Sequence, residues 1–180
     1  PYVNGRMFET FPTPWDRGGT WQAVMQSYLR LNGEVRDPAV FVINGNTGNT
    51  GSRDPQRVRF TSASTLLGDG FWGFDFGDQD HGQLWSFDEA RASIGSPEGR
   101  PRNVKAPQKE KIVASVWRRD YEQGLVVVNS TAAPETVDLG GDFEKLRGTV
   151  DPVTNDGSIV GEVNLGSEDG LELIASTAMS

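Results

Sequence analysis

The sequence contains no cysteine, which excludes disulfides, thiolate metal centres and cysteine nucleophiles. This leaves the compartment open, because a secreted protein can also lack disulfides. No run of about 18 apolar residues is present, so no transmembrane helix is expected. No charged-then-apolar start marks a signal peptide. Basic charge is scarce: 17 Lys and Arg face 25 Asp and Glu, a net charge of −8. An acidic surface repels phosphate backbones, so nucleic acid is not an expected partner. Histidine occurs once, at His81, and no Gly-x-Ser-x-Gly elbow accompanies it, so a serine-type triad is not indicated.

What is present divides the chain of 180 residues in two. Residues 1–95 carry 14 of the 17 aromatic residues, and every lysine lies after position 104. The break falls where Pro97, Pro101 and Pro107 mix with Arg100, Arg102, Lys105, Lys109 and Lys111. That stretch reads as a solvated linker over 96–110. It separates a first unit, 1–95, from a second, 111–180.

The first unit alternates strands and helices. Val3–Glu9 reads as a strand. Thr20 offers an N-cap, and Trp21, Val24, Met25, Tyr28 and Leu29 recur at helical spacing up to Asn32-Gly33. Ala39–Ile43 is a continuous apolar run, the mark of a buried parallel strand. Asp54-Pro55 starts a second helix with the apolar stripe Val58, Ala63, Leu66 and Leu67, and Gly68 and Gly70 stop it. Phe71–Phe76 is a third strand. The order β-α-β-α-β predicts a parallel sheet. About 95 residues supply only three strands, whereas a full (β/α)8 barrel takes roughly 250 residues. The expectation is therefore the last three βα units of such a barrel. A chain that starts on Pro1, directly on a strand, fits the tail of a longer protein. The second unit lacks a helical pattern. Ile112–Trp117, Gly124–Asn129, Glu135–Leu139, Lys145–Val150, Ser158–Leu165 and Leu171–Ala175 read as strands between turns, which predicts a small antiparallel β-sandwich.

In parallel α/β folds, functional side chains gather at the C-terminal strand ends. Here those ends supply Glu9, then Asn44 and Asn46, then Asp75, with Asp78, Asp80 and His81 close behind. Trp15 and Trp85 lie nearby in sequence. Paired carboxyls serve glycoside hydrolysis as acid and as nucleophile or base. Amides bind hydroxyls, and tryptophan faces stack on sugar rings. Each residue also has a plainer role: Glu9 a solvated strand end, Asn44 and Asn46 turn residues, Asp80-His81-Gly82 a turn, Trp15 and Trp85 ordinary packing. Asp75 lies between Phe74 and Phe76, so alternation sets it on the opposite face. Other motifs are coincidental. Asp75-Phe76-Gly77 lacks the companion kinase motifs, and the loop of Gly45, Gly48 and Gly51 lacks the lysine of a phosphate loop. The spacing of Asp75, Asp78, Asp80 and His81 departs from the calcium-loop pattern, so no metal or other cofactor is expected. Asn129-Ser130-Thr131 is a glycosylation sequon.

Gly68–Gly77, Asp80-His81-Gly82-Gln83-Leu84-Trp85 and Asp88-Glu89 together resemble the last barrel segment of the glycoside hydrolases called hypothetical glycosyl hydrolase family 15-like, which are distinct from the glucoamylases. Val116–Asn129, Val137–Gly141, Asn155–Ser158 and Asp169-Gly170-Leu171 extend the likeness to about residues 5–175. The resemblance implies a barrel followed by a β-sandwich, with Gly5–Glu9, Ala39–Asn44 and Phe71–Phe76 as barrel strands six to eight. It matches Glu9 to an acid/base glutamate, with its partner carboxylate on an earlier strand.

The function expected is thus the C-terminal part of a glycoside hydrolase acting on poly- or oligosaccharide. Glu9 would protonate the glycosidic oxygen and later activate water, with Asp75 beside it. Asn44, Asn46, Trp15, Asp80, His81 and Trp85 would bind substrate. The expected partners are carbohydrate and the N-terminal barrel segment of the same protein, with no membrane. Without that segment the fragment is expected to be inactive, and unstable or self-associating because a sheet face and an edge lie bare. The rival readings are a non-catalytic carbohydrate-binding or pseudoenzyme module and a purely structural unit.

Overall fold

The structure is a computed structural model and describes residues 3–15, 18–107 and 111–176. Three short strands, β1 (Gly5–Phe8), β2 (Val40–Asn46) and β3 (Phe71–Asp75), form a parallel sheet in the order β1-β2-β3. Helix α1 (Trp21–Leu31) links β1 to β2, and α2 (Pro55–Leu66) links β2 to β3. Thr20 precedes α1 in an extended conformation but its side chain makes no capping bond. Asp54 caps α2, its Oδ1 accepting from the Gln56 amide at 3.0 Å, with Pro55 opening the helix. The remaining strands are β4 (Pro97–Asn103), β5 (Val116–Tyr121), β6 (Gly124–Asn129), β7 (Glu135–Lys145), β8 (Ile159–Leu165) and β9 (Asp169–Ala175). They form one antiparallel sheet in the order β4-β5-β6-β9-β7-β8.

This architecture corrects the expected barrel segment. The described chain is mostly β, with two α-helices rather than three βα units. Among the described residues, no α-helix follows β3. The chain runs irregularly to a single 3-10 turn, Glu89–Arg91, and then enters the six-stranded sheet. The parallel sheet is open, and the antiparallel strands belong to one continuous sheet.

The strand boundaries shift for physical reasons. Pro97–Asn103, expected as linker, is β4, an edge strand on β5. Its register slips between Glu98 and Arg102, around Gly99 and Pro101. Proline is tolerated there because an edge strand leaves one side of its backbone unpaired. Arg102 pairs with Asp120 at 3.0 Å and Lys105 with Glu135 at 2.9 Å, so the basic stretch is partly spent on the sheet. Lys109 lies outside the described residues. Lys145–Val150 was expected as a strand, but only Lys145 ends one, β7. The amides of Thr149, Val150 and Asp151 donate instead to the Asp88 carboxylate, at 2.9 to 3.2 Å, which draws them out of any ladder. The sequon asparagine is buried: Asn129 Nδ2 donates to the carbonyls of Ala133 and Gly166, at 2.8 and 2.7 Å, so the folded chain offers no acceptor there.

Two apolar cores meet at β6. Alternation sends Val126 and Val128 to a core shared with Phe8, Tyr28, Phe41 and Ile43. It sends Leu125 and Val127 to a second core with Val116, Val137, Leu139 and Leu173. A strand buried on both faces explains the unbroken apolar run Leu125–Val128.

Helix α2 is the common wall. It contacts β2 and β3 on one side and β6 and β9 on the other. Every residue from Val58 to Thr65 is buried, including Arg59 and the small polar residues Thr61, Ser62, Ser64 and Thr65. The expected one-sided apolar stripe is therefore replaced by burial all round. Small side chains permit the close approach: a Cβ at Gly170 of β9 would stand 2.6 Å from the Ala63 Cβ. Arg59 grips Asp169 through Nε and Nη2, at 3.1 Å each, and Asp151 through Nη1. Removing one partner of a buried ion pair strands the other charge, so Arg59→Leu should cost about 3–5 kcal/mol. Chemical denaturation checks this, and a loss under about 1 kcal/mol, the usual ceiling for exposed pairs, would show that the cluster does not hold the layers.

Candidate functional site

The three parallel strands end side by side. Register places Met7, Val42 and Phe71 in one row, Asn44 and Gly73 in the next, and Asn46 and Asp75 in the third. Strand alternation puts all of these on one face of the sheet. The opposite face carries Phe8, Phe41, Ile43 and Phe74 into the cores. This face is uncovered in its lowest row, where Met7 and Phe71 are exposed, the latter by 63%, whereas Asn44 and Asn46 of the upper rows are buried. Polar groups thus crown an open sheet face whose lower rows are apolar.

Two hydrogen-bonded chains organise the crown. In the first, Asn44 Nδ2 donates to Asp75 Oδ2 at 2.9 Å. His81 Nδ1 lies 2.7 Å from the same oxygen. A Cβ at Gly73 would meet the Asn44 Oδ1 at 3.0 Å, so glycine there leaves Asn44 room to reach across. Asp75 Oδ1 is buried and receives no donor from the described residues. In the second chain, Asn46 Nδ2 donates to Thr10 Oγ1 at 2.9 Å, and Thr10 Oγ1 donates to Asp78 Oδ1 at 3.4 Å. Thr10 adopts φ 51°, and the Phe11 amide donates to the Asn44 carbonyl at 2.9 Å, which turns the chain back over β2 after Glu9.

His81 is 62% exposed in its side chain, yet its acid–base behaviour is not that of a free histidine. The hydrogen bond to Asp75 raises its pKa above the usual 6.5, the Asp75 charge adds to this, and Glu9 and Asp78 contribute further. Asp75 therefore shifts the ring towards its protonated form. Once Nδ1–H is committed to Asp75, Nε2–H is left as a second donor.

The structure treats the expected site residues unequally. It brings together Asn44, Asp75 and His81 by direct bonds, ties Asn46 to Thr10, and sets Glu9 close enough to act electrostatically on His81. Glu9 is exposed. Asp80 closes a turn, its Oδ1 accepting from the Gly82 amide at 2.8 Å. Trp85 packs edge-on against Phe87, 6.4 Å between ring centroids, in the cluster that holds Phe74 and Val58 on the opposite face. The Arg53 guanidinium lies 5.7 Å from its ring centre. Trp15 stands 62% exposed in the loop after β1. No three of the described carboxylates and the histidine come together as a metal site.

Thr10, Asn49 and Gln83 join the site without a signal in the sequence. The Asn49 amide donates to the Phe76 carbonyl at 3.0 Å and Asn49 Oδ1 accepts from the Gln79 amide at 3.1 Å. Gln83 Oε1 accepts from the Phe76 amide at 2.9 Å. The glycine-rich loop after β2 therefore buttresses the loop that carries Asp75 to His81. Only the positive φ of Thr10 and Asn49 sets these residues apart, and a linear sequence does not show it.

No protein-family model matches this chain, and no curated protein matches it in sequence.

The dominance of Asp75 over His81 is directly measurable. An NMR titration of His81 should give a pKa above 6.5, and Asp75→Asn should return it towards 6.5 because bond and charge disappear together. An unchanged titration in that variant would mean that the two groups do not interact in solution.

Proposed function

We propose that the open sheet face binds an oligosaccharide through Asn44, Asp75 and His81, and that the chain serves as part of a glycoside hydrolase with Glu9 as acid/base. The observation that carries this reading is the Asp75 carboxylate. Asn44 and His81 fix one of its oxygens, while the other is an acceptor that no group of the described chain satisfies. A buried, unmatched acceptor is costly, and a sugar hydroxyl is a suitable donor. A ligand donor reaches that buried oxygen once the side chains packed around it move aside. When protonated, the ring also has Nε2–H free of the Asp75 bond as a donor for such a ligand. Glu9 stands at the neighbouring strand end, where a carboxyl can reach a glycosidic oxygen, donate its proton to the leaving group, and later take one from water. The resemblance of Gly68–Trp85 to a glycoside hydrolase segment agrees with this assignment.

The exposure of Glu9 favours a second reading. Nothing in the described chain shields its carboxyl from water, whereas acid/base carboxyls are commonly set in water-poor surroundings. On that reading the same face recognises sugar without cutting it.

Sugar release and sugar binding, measured on a polysaccharide panel with the chain and with Glu9→Gln, separate the two. Hydrolysis predicts a loss of about 10²–10⁴-fold in release with binding kept, the usual worth of a general acid. Binding without release in both forms shows that this chain by itself recognises sugar without cutting it. Asp75→Asn should weaken binding about tenfold or more on either reading, because a hydrogen bond to a charged group is worth about 1.5–3 kcal/mol. Absence of binding in every form overturns both.

A further inference from the structure

On the other side of α2 lies a cavity of about 480 Å³, bounded by α2, β9, β5 and the 3-10 turn. Its walls include Ser62, Thr65, Trp72, Tyr121, Glu89 and Glu172. We propose that this cavity binds a small primary ammonium, held between the carboxyls of Glu172 and Glu89.

Glu172 is 3% exposed, on the face of β9 that packs against α2. Its Oε1 accepts from Ser62 Oγ at 2.5 Å, and its Oε2 is buried with no partner among the described residues. Glu89 is 8% exposed, and its Oε1 accepts from Asn155 Nδ2 at 3.0 Å. Neither carboxyl has a cationic hydrogen-bond partner among the described residues. Arg59 on α2 is taken by Asp169 and Asp151. Arg119 on β5 is taken by Asp69 and by the carbonyls of Gly68 and Gly99.

The donors of the buried wall are spent within the protein. Thr65 Oγ1 donates to the Thr61 carbonyl at 2.8 Å, Tyr121 to the Leu66 carbonyl at 2.6 Å, and Trp72 Nε1 to Thr61 Oγ1 at 3.0 Å. What remains is an acceptor-rich space beside two aromatic rings. A primary ammonium answers it: three N–H donors for carboxyl and hydroxyl oxygens, a positive charge for the carboxylates, and attraction to Trp72 and Tyr121. A hard divalent cation is a poorer fit, since it calls for about six oxygen ligands and the described chain gathers no third acidic side chain here.

The charge state follows. Burial pushes Glu172 up to about 8, with the neighbouring Glu89 adding to it and Ser62 opposing it. Burial also raises Glu89, and Asp88 beside it adds to this, while Asn155 and the distant charge of Arg59 oppose it. Tyr121, pushed up to about 12 by burial, stays a neutral hydroxyl. Below pH 8 the empty cavity therefore holds Glu172 protonated. A bound ammonium displaces that proton, and affinity rises with pH until Glu172 is already ionised.

Calorimetry with n-propylammonium, and with n-propanol as the neutral probe of similar size, tests the site on the intact chain. Binding of one equivalent is expected, strengthening about tenfold per pH unit between pH 6 and 7.5, with proton release. Propanol should bind at least tenfold more weakly. Glu172→Gln should weaken propylammonium at least tenfold and flatten the pH dependence. Ala90→Trp, on the exposed rim, leaves both carboxyls in place and should block entry, which keeps the test open if Glu172→Gln fails to fold. Equal affinity for the two probes, affinity independent of pH, binding untouched by either variant, or no binding at all would overturn the proposal.

Discussion

The layering depends on one helix buried on both sides. α2 supports the parallel sheet with one flank and the antiparallel sheet with the other, so neither sheet can move without it. Its composition follows from that position. Alanine, serine and threonine let two sheets approach, and the threonine hydroxyls are satisfied locally: Thr61 Oγ1 donates to the Val58 carbonyl and Thr65 Oγ1 to that of Thr61. Arg59 supplies the charge that Asp169 and Asp151 answer from the other layer. This cluster is a geometric clamp more than a source of stability, because desolvation consumes most of the attraction between buried charges.

The same helix sets where chemistry can occur. By covering the back of β2 and β3, it leaves their other face for the site, and alternation then delivers Asn44, Asn46 and Asp75 to that face together, the two amides buried. The loops beyond the strands are held by backbone and amide bonds between the Asn46–Asn49 and Asp75–Gln79 segments. Asp75 is thus held in place by its surroundings rather than by its own turn.

Two acidic centres flank α2, and they answer their charge differently. Asp75 meets an imidazole that its own field helps to protonate, so that centre is compensated within the chain. Among the described residues Glu172 meets a serine hydroxyl and the charge of another carboxyl, and burial favours its protonated form. The first centre can offer a donor and an acceptor to a neutral hydroxylated ligand. The second is set to exchange its proton for a cation.

The sequence by itself determined the local features. Helical spacing from Trp21, the Asp54-Pro55 start, the strands read at 39–43, 71–76 and 124–129, and the gathering of Asn44, Asp75 and His81 near strand ends were legible, because each rests on neighbours a few residues apart. Tertiary structure decided the rest. It turned Pro97–Asn103 from linker into an edge strand, since β5 offered a free edge. It made Lys145–Val150 mostly loop, since Asp88, some sixty positions away, took the amides. It drew Trp85 into packing, turned Asp80 to closing a turn, and brought Thr10 into the site through a left-handed backbone. It also placed α2 between two sheets, which removed the barrel that three alternating elements had suggested. Periodicity reports which face of an element avoids water, but not how many partners share that face, and burial of α2 on every side could only be seen once both partners were in place.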